Sequence, residues 1–120
     1  MALVVEIEGH EFYSPDRDTD VYINLDNEIT ITELNKILKT MQRHHIFSYP
    51  HIKPTSEYPQ VIASIHIPEE INRVIVIGDA VKLQMEKISS RLRTEIVKYM
   101  ADRNYFLVEA HDNQLIFRSD

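Results

Sequence analysis

The sequence predicts an α+β domain in which two packed helices lie on a mostly antiparallel sheet. Three observations carry this. Short segments with alternating apolar and polar residues stand near both ends of the chain, two longer segments place apolar residues at helical spacing, and turn-forming residues separate them in the order β-β-α-β-α-β-β. A length of 120 residues with 43% hydrophobic and 27% charged content suits one compact domain spanning residues 1–120, with enough apolar surface for a core.

Each element has its own reason. Leu3, Val5 and Ile7 alternate with Val4, Glu6 and Glu8, as in a half-buried strand, and Glu11–Tyr13 prolongs it past Gly9. Ser14–Thr19 is polar and contains Pro15, so it reads as the turn of an antiparallel hairpin whose second strand is residues 21–25. Thr30 and Glu33 then have the spacing of a capping box, with Ile29 and Leu34 placed as a hydrophobic staple. Ile31, Leu34, Ile37, Leu38 and Met41 form the apolar stripe of a helix expected over Ile31–His44. Pro50, Pro54 and Pro59 mark residues 46–60 as an extended loop without a ladder of its own. Val61–Ile67 is a central strand.

Residues 68–102 admit two readings. Ile71, Val74, Gly78, Val81, Met85, Ile88 and Leu92 follow one another at steps of three and four, which continues as a single long helix. Four β-branched or aliphatic residues in succession after Arg73 instead suggest a strand over Arg73–Ile77, a turn at Gly78-Asp79, and a shorter helix to Arg103. A helix over Val81–Met100 belongs to both readings. Tyr105–Ala110 and Gln114–Arg118 around Asp112-Asn113 complete a second hairpin.

Composition excludes several chemistries. The absence of Cys removes disulfides, thiolate metal sites and thiol nucleophiles. Two glycines, Gly9 and Gly78, are too few for a phosphate-cradling loop, a dinucleotide fingerprint or a nucleophile elbow. No apolar run is long enough for a membrane span, and the opening residues lack the basic start of a signal peptide, so a soluble cytoplasmic protein is expected. The formal charge of −6 is uneven. Residues 1–28 hold eight acids against one base, a net of −7, whereas residues 29–120 hold 12 bases against 11 acids, a net of +1.

Four constellations bear on function. Asp16, Asp18 and Asp20 have the alternation of a calcium loop, but Val21 and Asn27 stand where such a loop needs Gly and Glu. His44, His45, His51 and His66 are donors suited to a transition metal or to acid–base work, although their spacing matches no zinc motif. Lys87, Arg91, Arg93 and Lys98 make a basic stripe on the expected helix 80–103, and a helix followed by a terminal hairpin is the end of a winged-helix module. The acidic hairpin itself, with Glu6, Glu8, Asp16, Asp18 and Asp20, presents a face that attracts a basic partner surface or imitates nucleic acid.

With no catalytic motif in the chain, these features point to a small acidic interaction or regulatory protein, without metal or cofactor, that binds a protein partner. Its contact residues are expected in the acidic hairpin and in the Tyr-Pro loop at Tyr49, Pro50 and Tyr58. Its two expected forms are a homodimer joined through the long helix and an inhibitor that mimics nucleic acid. The alternatives are a winged-helix-like nucleic-acid-binding protein using the basic helix and the C-terminal hairpin, and a small His- or metal-dependent hydrolase.

Overall fold

The computed structural model describes residues 3–14, 21–24, 29–54 and 59–119. The elements run β1 (Leu3–Ile7), β2 (His10–Ser14), β3 (Val21–Asn24), α1 (Ile31–Arg43), β4 (Phe47–Pro54), β5 (Pro59–Ile65), β6 (Arg73–Ile77), β7 (Ala80–Gln84), α2 (Ser90–Ala101), β8 (Tyr105–Ala110) and β9 (Gln114–Ser119). They form an α+β structure with a six-stranded sheet, order β2-β1-β6-β7-β9-β8, and a three-stranded sheet, order β3-β5-β4. All strand pairs are antiparallel except β1 with β6.

The first hairpin closes earlier than the sequence suggests. β1 pairs with β2 across a two-residue turn at Glu8 and Gly9, both with positive φ (50° and 86°), which suits the twist of paired strands. A two-residue loop has less closure entropy to overcome than one reaching residue 21. The segment expected to complete this hairpin, β3, pairs instead with β5 in the second sheet.

The proline-rich segment also differs from expectation. β4 pairs with β5 from Phe47↔Ile65 to Pro54↔Pro59. Tyr49 and Pro50 lie opposite the single residue Ala63 at a register shift, and β4 is an edge strand. Those are the two places where a residue without an N–H is tolerated in a sheet.

Residues 68–102 follow the broken reading, and then depart from it. Arg73–Ile77 is a strand and Gly78-Asp79 a turn, with Gly78 at φ 57°, as in a type II′ hairpin loop. The turn leads to another strand, β7, and not to a helix. The expected helix from Val81 is therefore shortened to the 12 residues of α2, capped at Ser89, whose side chain accepts the Leu92 N–H. The three-four stripe misleads here because Val74, Val76, Val81, Leu83 and Met85 also alternate at a period of two, and all five are buried. The homodimer through a long helix loses its element. After α2, Asn104 at φ 65° turns the chain into β8.

Helix α1 forms as its start signal indicates. The Thr30 N–H donates to Glu33 Oε2 at 3.1 Å and the Glu33 N–H to Thr30 Oγ1 at 3.2 Å. Ile29 and Leu34 both pack against the core. Thr30→Ala is expected to lower stability by about 1 kcal/mol, measured by urea unfolding, with Thr30→Ser near neutral. Ile31 departs from the expected apolar face: it sits at the margin of the stripe in the first turn and is 78% exposed.

One core joins both layers. The inner face of the six-stranded sheet contributes Leu3, Val5, Ile7, Val74, Val76, Val81, Leu83, Leu115 and Phe117. It meets Ile37 and Met41 of α1, Ile96 and Met100 of α2, and Phe47, Val61, Ala63 and Ile65 of the small sheet. The opposite face of the six-stranded sheet is left uncovered by the described helices and strands.

Candidate functional site

Two turns with positive φ deliver polar groups to the end of α1. His44, the residue after the last turn of α1, is 1% exposed. Its Nε2 lies 2.6 Å from the Gly78 carbonyl oxygen, which can only accept, so Nε2 carries the hydrogen. Its Nδ1 then accepts from the Tyr105 hydroxyl at 2.6 Å. That hydroxyl in turn accepts the His45 N–H at 3.0 Å. The two rings stack at 5.6 Å. Burial holds the imidazole below its ordinary value, reinforced by Arg43 and His45 and opposed by the Gly78 carbonyl and by Asp79. Burial likewise pushes the Tyr105 phenol up to about 12.

Glu8 joins the same network from the β1–β2 turn. Its Oε1 accepts from the Thr40 hydroxyl at 2.8 Å and from the Gly78 N–H at 2.9 Å, and the Lys36 ammonium lies 3.6 Å from Oε2. Burial works against its charge, but the Gly78 N–H, Thr40 and Lys36 outweigh it and hold the carboxyl below its usual range. Gly78 thus donates its N–H to Glu8 and accepts from His44 at its carbonyl. The network ties α1 to the two turns and to the start of β8. With both ring nitrogens of His44 engaged and the ring shut off from solvent, it offers no site for substrate.

This network contributes to the pH dependence of stability. His44 has a folded-state value below its ordinary 6.5, so the unfolded chain takes up the proton first. Its contribution is full above about 6.5 and is lost as the pH falls from there through the lowered value. Glu8 adds a second loss, from its ordinary 4.5 downward through its own lowered value. Thermal melts between about pH 8 and pH 2 are expected to show both losses. His44→Leu should flatten the upper one and Glu8→Gln the lower.

The remaining histidines do not converge. His45 is exposed, with its ring edge-on to Tyr105 at 6.5 Å. His66 Nε2 meets Ser48 Oγ at 2.7 Å, and His51 is exposed on β4. Among the described residues, no three His, Asp or Glu side chains gather where they could hold a metal ion. The ligand set of the His-dependent hydrolase is therefore not assembled among them.

Of the acidic hairpin, the described residues include Glu6, Glu8 and Glu11. Asp16, Asp18, Asp20 and Tyr58 lie outside the described residues. Glu8 is turned inward. Glu6 and Glu11 flank the Arg73 guanidinium at 3.7 and 2.9 Å. The three described acids of the N-terminal segment thus have cationic or N–H partners within the chain. Pro50 is half-buried at the β4 bulge, and Tyr49 enters β4 beside it.

The basic stripe is not continuous. Lys87 precedes α2, and Arg91 pairs with Glu95 at 3.4 Å. Arg91 and Lys98 share a face, while Arg93, two residues from Arg91, points the opposite way round the helix. The element before α2 is strand β7, so the paired helices of a helix-turn-helix are not formed there. A polar hollow of about 150 Å³ lies where Ser89, Ser90 and Arg93 meet His111 and Asp112.

The uncovered face of the six-stranded sheet is what the sequence reading missed. Strand registers align Glu6, Ile75, Lys82, Ile116 and Glu109 in one row. The next row is Ile77, Ala80, Arg118 and Phe106. Ile75 and Ile116 are half-buried, whereas Ile77 and Phe106 are 46% and 48% exposed. Val108, at the bulge in edge strand β8, is 55% exposed. Arg118 is held toward Asp79 at 3.4 Å. The signal in the sequence was the period-two pattern of β6 and β7, which the helical stripe obscured. No helix among the described residues is long and apolar enough to cross a membrane. In comparisons with known proteins, no family model, no curated protein and no solved structure matches this chain.

Proposed function

We propose that this chain is a small binding protein that acts by engaging a protein partner through the uncovered face of its six-stranded sheet. The observation that supports this reading is the pair of rows on that face. Ile75 and Ile116 flank Lys82 in the first row, Ile77 and Phe106 stand exposed at the two ends of the second with Arg118 beside Phe106, and Glu6, Arg73 and Glu109 lie toward the margins. Exposed apolar and aromatic groups interspersed with charges are a composition found in non-obligate protein–protein contacts. In this reading Glu6 is a contact residue, with Glu11 and Arg73 beside it.

The test is affinity capture from the native cell with the wild-type chain and with the double variant Ile77→Asp, Phe106→Asp. Both positions are exposed, so the variant is expected to melt within a few degrees of wild type. The reading requires a partner retained by the wild type and lost from the variant. Equal recovery by both would refute it. Sedimentation of the same preparations separates a second copy of the chain from a foreign partner.

A further inference from the structure

We propose that His44 is an acid-released latch that locks the end of α1 to the β6–β7 turn and to the start of β8 only while its imidazole is neutral. The geometry admits one protonation state. Nε2 must donate, because it faces the Gly78 carbonyl at 2.6 Å. Nδ1 then accepts, because among the described residues it is the acceptor that the Tyr105 hydroxyl meets. That hydroxyl oxygen already takes the His45 N–H at 3.0 Å. Adding a proton to Nδ1 would place an N–H against the Tyr105 oxygen at a distance of 2.6 Å. The oxygen would then accept twice, and its own hydrogen would be left unpaired around a side chain that is 0% exposed.

The groups facing the ring do not rescue the charged form in place. Its chain neighbours, Arg43 at the end of α1 and His45 just beyond it, repel a positive ring, and Tyr105 on β8 is neutral. Asp79 on the β6–β7 turn favours the charge, but it is exposed and already faces Arg118. Glu8 on the β1–β2 turn acts from beyond the Gly78 peptide, where Thr40 and Lys36 share its charge. Water supplies what the site lacks, so the protonated ring leaves it. The chain from His44 to Ile46 is thereby released from Tyr105, and the Gly78-Asp79 turn from α1. The opening is local, because the β7–β9 ladder does not involve His44. The latch is independent of what the outer sheet face binds.

Nuclear magnetic resonance of the intact protein tests this without a partner. At about pH 7.5 the His44 ring is expected as the Nε2–H tautomer. On acidification, protection of the His45 amide against hydrogen exchange should fall by about tenfold per pH unit below the ordinary histidine value, until the ring titrates in the closed state. Amides of β7 and β9 should keep their protection over the same range. In His44→Gln the His45 protection should no longer vary with pH, at whatever level it starts. An Nδ1–H tautomer, a pH-invariant His45 amide in the wild type, or loss of protection at His45 and across β7 and β9 together would each overturn the latch. The wild-type titration decides the matter even if the variant does not fold.

Discussion

Replacing His44 with leucine is expected to lower the unfolding free energy by about 2–4 kcal/mol near neutral pH. Leucine is close to histidine in bulk, so the loss is one of hydrogen bonding and not of volume. Two groups are left without partners, the Gly78 carbonyl and the Tyr105 O–H. Each costs about 1–3 kcal/mol when stranded away from water, and Gly78 lies toward the lower figure because it is only partly buried. Tyr105→Phe strands a different pair, His44 Nδ1 and the His45 N–H, and is expected to cost about 1–3 kcal/mol. The double variant removes both ends of the Nδ1 contact. It should therefore cost less than the two single changes added, by about 1–3 kcal/mol of coupling. Urea unfolding of the four proteins measures this, and strictly additive losses would mean the two side chains do not hold each other.

Phe117→Ala is expected to cost more, about 3–5 kcal/mol, and to lower the melting temperature by roughly 10–20 °C. Phe117 is fully buried on β9, opposite Val81 of β7 and Leu107 of β8, where it faces the common core. Truncation leaves a cavity that the surrounding strands, fixed by their ladders, cannot close. Phe106 supplies the contrast. It stands opposite Arg118, the next residue along β9, but on the other side of the sheet, and is 48% exposed. Phe106→Ala is expected to cost well under about 1 kcal/mol. Calorimetry that found the two losses equal would contradict the assignment of inner and outer faces.

Local signals were legible where a short stretch of chain settles its own conformation. Thr30 and Glu33 satisfy one another's N–H groups across three residues, so helix α1 could be read from its start. The C-terminal hairpin followed from two β-rich runs about a tight turn. The same local rules failed where two periods fit one set of residues. Around β6 and β7, apolar residues occupy both helical and alternating positions, and a hairpin with Gly78 at φ 57° resolves the conflict by letting each strand pair on both sides. Pro50 read as a ladder breaker because its position at an edge-strand bulge is not a property of the residues next to it.

The candidate site was least legible of all. Glu8 read as a surface acid because it alternates with buried residues, yet the β1–β2 turn carries it toward Thr40 and Gly78. His44 read as a ligand or a helix-end cation, yet it meets Tyr105, 61 residues away. By itself the sequence determined the α+β class, the capped helix α1, the C-terminal hairpin and the chemistries that missing Cys and scarce Gly exclude, because each depends on composition or on neighbours within a few residues. Only the tertiary structure decided which acids point inward, which proton His44 carries and which sheet face remains open. Those depend on which strands lie side by side, and strand partners distant in the chain are chosen by the burial of the whole core.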